Sequence, residues 1–211
     1  MIIAIIAFAA VAAVIWYFAV FATKSEPVQT IQDSTANIAE KENLENDNPY
    51  ANLKGDAFDE AYLADMIAHH DGAVNMSEQA QAFTAREEIR TLAGDITMSQ
   101  SQELIKMRDW QVEWGYEVTM SGGHMSHGGA GMDMGGDMVE MMNKLNDLRG
   151  EEYDKEFLRQ MIIHHEQAVE MSQYAEVNAK HQEIKDLAND VITTQTKEIE
   201  LMKQWQEVWG Y

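Results

Sequence analysis

Met66-Ile67-Ala68-His69-His70-Asp71-Gly72-Ala73-Val74-Asn75-Met76-Ser77 and Met161-Ile162-Ile163-His164-His165-Glu166-Gln167-Ala168-Val169-Glu170-Met171-Ser172 are two versions of one stretch. On a helix, at about 100° per residue, Met66, His69, His70, Ala73 and Met76 fall within a wedge of roughly 120°, and their counterparts do the same. Two thioethers and two imidazoles then share one face of each helix, with no carboxylate among them. That donor set suits Cu(I), or the chemically similar Ag(I), far better than Mg²⁺, Ca²⁺ or Mn²⁺. Met66, His69, His70, Met76, Met161, His164, His165 and Met171 are therefore candidate metal ligands. The competing reading is packing, since a methionine stripe at helical spacing is ordinarily core filler. Paired histidines beside methionine in both copies favour the metal.

The repetition extends well beyond these stretches, at a constant offset of 95 residues without a gap. Gly55 maps to Gly150, Leu92 to Leu187, Gln100 to Gln195, Glu103 to Glu198 and Met107 to Met202. Trp110-x-x-x-Trp114-Gly115-Tyr116 maps to Trp205-x-x-x-Trp209-Gly210-Tyr211. Within a copy, a first helix is expected from about Ala57 to Phe83. Thr84-Ala85-Arg86-Glu87 has the form of a capping box that opens a second, ending at Gly115. Ile89, Leu92, Ala93, Ile96 and Leu104 recur at threes and fours, as an inward face requires. Neither hairpin can bury its stripe alone, so residues 55–116 and 150–211 are expected to pack as one all-α four-helix bundle. Two hairpins that pair with other chains are the alternative. The Trp pairs, one helical turn apart, are expected to close the apolar core at one end of the bundle.

Residues 117–149 join the copies. The run from Met120 to Met138 is too rich in glycine to hold a helix or a core, so its Met and His side chains are not there for packing. His124, Met125, His127, Met132 and Met134 are secondary candidates for capturing a soft cation. Met141, Met142, Leu145 and Leu148 resume a helical period before Gly150. Met98, placed by length alone about level with His70, is a further candidate ligand; its counterpart is Thr193.

From Met1 to Ala22 there is no charged side chain, long enough to cross a membrane as a helix and longer than an export signal needs. An N-terminal anchor is favoured over a cleaved signal. Residues 23–54 read as an acidic tether without a core of their own. Lys+Arg 15 against Asp+Glu 36 leaves a formal net charge of -21, which disfavours nucleic acid as a partner. Cys is absent while Met occurs 15 times, a composition that fits an exported soft-metal binder without thiolates.

A ferritin-like di-iron or di-manganese centre would need Glu-x-x-His units, but Met66 and Met161 stand three residues before His69 and His164. Neither a Ser-His-Asp set nor a phosphate-cradling glycine loop is present, so no enzyme is expected. A structural or partner-binding bundle is the other alternative.

The sequence resembles the bacterial family known as domain of unknown function 305. The resemblance rests on Tyr62-Leu63 through Met76 with Ile96, Gln100, Glu103, Met107 and Trp110, and on Phe157-Leu158 through Met171 with Val191, Gln195, Glu198, Met202 and Trp205. It implies a ferritin-like bundle, export and, in some members, copper or silver binding with a role in metal tolerance. By position it implies the same eight ligands, Met66, His69, His70, Met76, Met161, His164, His165 and Met171. The expectation is thus a membrane-anchored, extracytoplasmic protein that buffers Cu(I) or Ag(I), or hands it to a metal-accepting or exporting protein.

Overall fold

The computed structural model describes residues 48–120 and 134–211. The expected membrane segment 1–22, most of the tether, and the candidates His124, Met125, His127 and Met132 lie outside them. No helix among the described residues is long and apolar enough to cross a membrane.

A short 3-10 turn, Pro49–Ala51, precedes α1 (Asp56–Phe83) and α2 (Glu87–Trp114). The linker carries α3 (Met134–Leu145), and the second copy follows with α4 (Gly150–Ser172), the single turn α5 (Ala175–Asn178) and α6 (Gln182–Trp209). The duplication reaches the backbone. Gly55 and Gly150 open α1 and α4 at φ 61° and 62°, and Gly115 and Gly210 close α2 and α6 at 77° and 74°. These are left-handed conformations that glycine adopts without a Cβ clash.

Two expectations about local structure need correcting. Thr84 does not cap α2: Arg86 is the N-cap residue and makes no side-chain cap bond. The Thr84 oxygen accepts from Arg86 N at 3.1 Å, just before the helix, while its hydroxyl donates to Asp154 of the other copy, a tertiary partner that local sequence does not reveal. The glycine-rich run is also not wholly without helix. α3 begins at Met134 and includes Gly135 and Gly136, because Met141 and Leu145 are buried against the bundle and tertiary packing outweighs glycine's weak propensity.

Each hairpin is antiparallel, and α1 packs on α4 to join the two. The start of α1 meets the turn of the second hairpin, where Gly55 N donates to Asn178 O at 2.8 Å and Lys180 N donates to Asp59 at 3.0 Å. The start of α4 meets the turn of the first, where Ala85 N donates to Asp154 at 3.2 Å. The hairpins therefore run in opposite directions, related by a pseudo-two-fold axis. It follows that the Trp pairs close opposite ends of the bundle, not one end. Trp110 and Trp114, stacked at 5.6 Å, pack on one apolar cluster, and Trp205 and Trp209, at 5.3 Å, on the other.

The segments preceding each hairpin also correspond, with Tyr50 and Leu145 both fully buried at equivalent positions. The second is longer. α3 lies against both α1 and α4, and the Met138 thioether occupies the place where Gly72 lacks a side chain: a Cβ there would lie 2.3 Å from its Sδ. Gln167, the counterpart of Gly72, donates to Asp137 at 3.1 Å.

Candidate metal centre

On α1, Met66 and Ile67 belong to the first apolar cluster, and Ala73 and Met76 to the second. On α4 the order reverses, with Met161 and Ile162 in the second and Ala168 and Met171 in the first. The four histidines sit where the two clusters meet. All four rings are at most 1% exposed.

The pairing differs from a simple reading of adjacency. His69 and His70 have ring centroids 6.4 Å apart and tilted by 49°, and His164 and His165 are 6.0 Å apart at 56°. The close pair is formed across the halves: His69 stacks on His164 at 3.5 Å. His164 Nε2 donates to the carbonyl of His69 at 2.9 Å. Because a carbonyl only accepts, a neutral His164 carries its lone pair on Nδ1. His70 and His165 turn outward, each placing Nε2 2.7 Å from Oε2 of a glutamate, Glu103 and Glu198 respectively. With Nε2 donating, the neutral form of either ring carries its lone pair on Nδ1. Nδ1 of His70, His164 and His165, and both nitrogens of His69, are buried without a hydrogen-bond partner. Unpaired polar atoms at this density call for an explanation, an ion among them.

Burial pushes the His69 and His164 imidazoles well below the ordinary histidine range, and charge on the neighbouring histidines pushes the same way. The neutral ring is the form that ligates a metal. Met66, Met76, Met161 and Met171 are all fully buried, and the Met171 sulfur lies 3.6 Å from the Tyr50 hydroxyl. Among the described residues no three His, Asp or Glu side chains gather into a metal-holding group, so an ion here would draw on thioether as well as imidazole.

Met98 is placed elsewhere. It is 61% exposed on the outer surface of α2, away from the buried histidines. Distance from the turn gives the level of a residue along a helix but not the direction it faces. Met134 is the first residue of α3. The residues that sequence reasoning did not join to the histidines are Glu103 and Glu198. Helical side chains lean toward the N-terminus of their helix, which brings the Glu103 carboxylate toward the turn and onto His70. A signal was present: Gln-x-x-Glu recurs with the histidines at the same offset of 95.

The model of the family described as Domain of unknown function (DUF305) matches residues 22–105 and 59–206. No curated protein matches the sequence. Among solved structures, CopM in its Cu(I)-bound form shares 29% identity over 72% of this chain and 96% of its own, with a TM-score of 0.59. CopM is also solved in a Cu(II)-bound form (29% identity, 74% and 99% covered, TM-score 0.61) and in a silver-soaked form (28%, 72% and 96%, 0.59). A DUF305 protein from Streptomyces coelicolor, described as secreted, shares 28% identity over 72% of this chain and 94% of its own, with a TM-score of 0.61.

Proposed function

The chain belongs to the DUF305 family, and from that premise we propose that it is an extracytoplasmic binder of Cu(I) or Ag(I) that buffers the ion or passes it on without catalysing a reaction. The observation that carries the reading is the set of buried, unpartnered imidazole nitrogens at the meeting of two methionine-lined clusters. His69 and His164 form the centre, flanked by Met66 and Met171 on one side and by Met76 and Met161 on the other. Glu103 and Glu198 fix the tautomer of His70 and His165, as a carboxylate behind a metal-bound histidine does, leaving Nδ1 to face the ion. CopM, solved with copper and with silver bound, and the relative described as secreted support this metal class and this location. Residues 1–22 would tether the bundle to the membrane, and His124, Met125, His127, Met132 and Met134 would make the first loose contact with the ion.

Titration with Cu(I) against a competing chelator, on the protein and on a His69→Ala/His164→Ala variant, tests the reading. The expected result is a loss of affinity of about a hundredfold or more in the variant. Equal affinities would move binding out of the bundle.

A further inference from the structure

The face of the bundle between α2 and α6 carries a feature that soft-metal binding uses only in part, through Glu103 and Glu198. A narrow cleft with a cavity of about 10 Å³, room for a single water-sized particle, lies between the two helices. Its polar walls are Ser99, Gln100 and Glu103 from α2 and Thr194, Gln195 and Glu198 from α6, the same three positions in each copy. Every polar atom type these residues supply for a cation is oxygen. Gln100 and Gln195 are each 97% buried, and Oε1 of both has no hydrogen-bond partner. A buried amide oxygen left unpaired carries an uncompensated desolvation cost, so two of them facing one cleft indicate a missing partner.

The other groups define that partner's chemistry. Glu103 and Glu198, with side chains 20% and 16% exposed, use Oε2 for the histidines behind them. Ser99 donates its hydroxyl proton to Ile96 O at 3.3 Å, so its oxygen presents lone pairs. Two carboxylates, two amide carbonyls and two hydroxyl oxygens, arranged about a pseudo-two-fold axis, form a set for a hard cation. No thioether lines the cleft, so Cu(I) and Ag(I) are poorly matched to it.

The geometry points to a second cation site, for a hard divalent ion of the Mg²⁺, Ca²⁺ or Mn²⁺ class, held between α2 and α6 by Gln100, Gln195, Glu103 and Glu198. This site differs in donor type from the methionine-flanked histidines and lies beside them, sharing Glu103 and Glu198, whose Oε2 atoms serve the histidines. It stands whether or not those bind copper.

Mn²⁺ is the probe. Adding it to the metal-free full-length protein should remove the electron paramagnetic resonance signal of the free ion with a stoichiometry of about one per chain, and Ca²⁺ should restore that signal. Saturating Ag(I) should leave Mn²⁺ binding unchanged. Gln100→Leu/Gln195→Leu, which keeps side-chain size and removes both amide oxygens, should weaken Mn²⁺ by about tenfold or more while helix content by circular dichroism stays the same. Unchanged affinity in that variant, or no binding at millimolar Mn²⁺, overturns the site and leaves only the diffuse attraction of an acidic surface. Displacement of Mn²⁺ by Ag(I) overturns it too, by showing a shared site. Gln195→Glu adds a carboxylate to the wall and should tighten Mn²⁺. If the double leucine variant does not fold, this single change decides, and unaltered affinity in it rejects the proposal.

Discussion

The two ends of the bundle are built on one plan with different parts. At one end Asp59 accepts from Lys180 N, His181 N and His181 Nδ1, and His181 stacks flat on Trp114 at 3.7 Å, with Tyr116 edge-on. At the other, Asp154 accepts from the Thr84 hydroxyl and Ala85 N, while Arg86 lies 4.0 Å over Trp209 and donates to the Tyr211 hydroxyl. An imidazole and a guanidinium thus occupy equivalent seats on equivalent indoles. A similar exchange occurs along the flanks, where Arg108 pairs with Asp71 at 2.8 Å and Lys203 with Glu166 at 2.6 Å. What duplication preserved is the shape of each contact. The chemistry filling it has drifted, and the buried carboxylates and the stacked rings show how far.

The largest expected difference concerns Asp59 and Asp154. Asp59 satisfies three donors and is wholly buried, so Asp59→Asn should cost about 3 kcal/mol. Asp154 has one oxygen without a partner, so Asp154→Asn should cost about 1–2 kcal/mol. Urea denaturation of the two variants measures both, and equal losses would show that the ends are energetically alike.

Acid should act at the centre, where the halves meet. His69 and His164 are held neutral in the fold, mainly by burial, while in the unfolded chain they titrate near 6.5. Stability is then complete above that value and is lost as pH falls below it, through the lowered values of the fold. The slope is about 1.4 kcal/mol per pH unit for each ring while the fold keeps it neutral. Urea midpoints of the metal-free protein at pH 7.5 and 5.5 check this; a flat profile would mean that the rings take up protons without strain. Bound metal should keep that slope and carry it to lower pH, because it holds both rings unprotonated in the fold while the unfolded chain still takes up protons.

A smaller effect tests the aromatic pairs. Phe58 stacks on Tyr62 in the first copy and Tyr153 on Phe157 in the second, so the hydroxyl has moved by one helical turn. Tyr62 meets Ser172 Oγ at 2.9 Å, whereas Ser77, the counterpart of Ser172, has a buried hydroxyl without a partner. Phe157→Tyr should supply that partner and raise stability by about 0.5–1 kcal/mol, while Tyr62→Phe should lower it by a similar amount. The smallest change is expected from exchanging the two side chains that stack on the indoles. His181→Arg and Arg86→His should leave melting temperatures close to that of the parent and alter mainly the fluorescence of Trp114 and Trp209.

Much of this was legible in the chain. The offset of 95, the hairpin boundaries at Gly55, Gly115, Gly150 and Gly210, and the inward position of the eight Met and His residues follow from periodicity and end signals. What a linear pattern does not carry is direction across space. Met98 shares a level with the core but faces solvent. His69 finds His164 and not His70, because the hairpins run in opposite directions. Thr84 looks like a local cap and serves a carboxylate 70 residues away. In each case the partner lies on another element, and only packing decides which one.

Gly72 carries a final consequence. A bundle made of two like halves offers the strand of chain between them two ways of lying down, and nothing in the repeat itself prefers either. The first half gives up a side chain where Met138 settles, and the second answers with an amide that grips Asp137. A gene doubled end to end must spend some of its likeness on the join, and here that asymmetry is written one helical turn from His69.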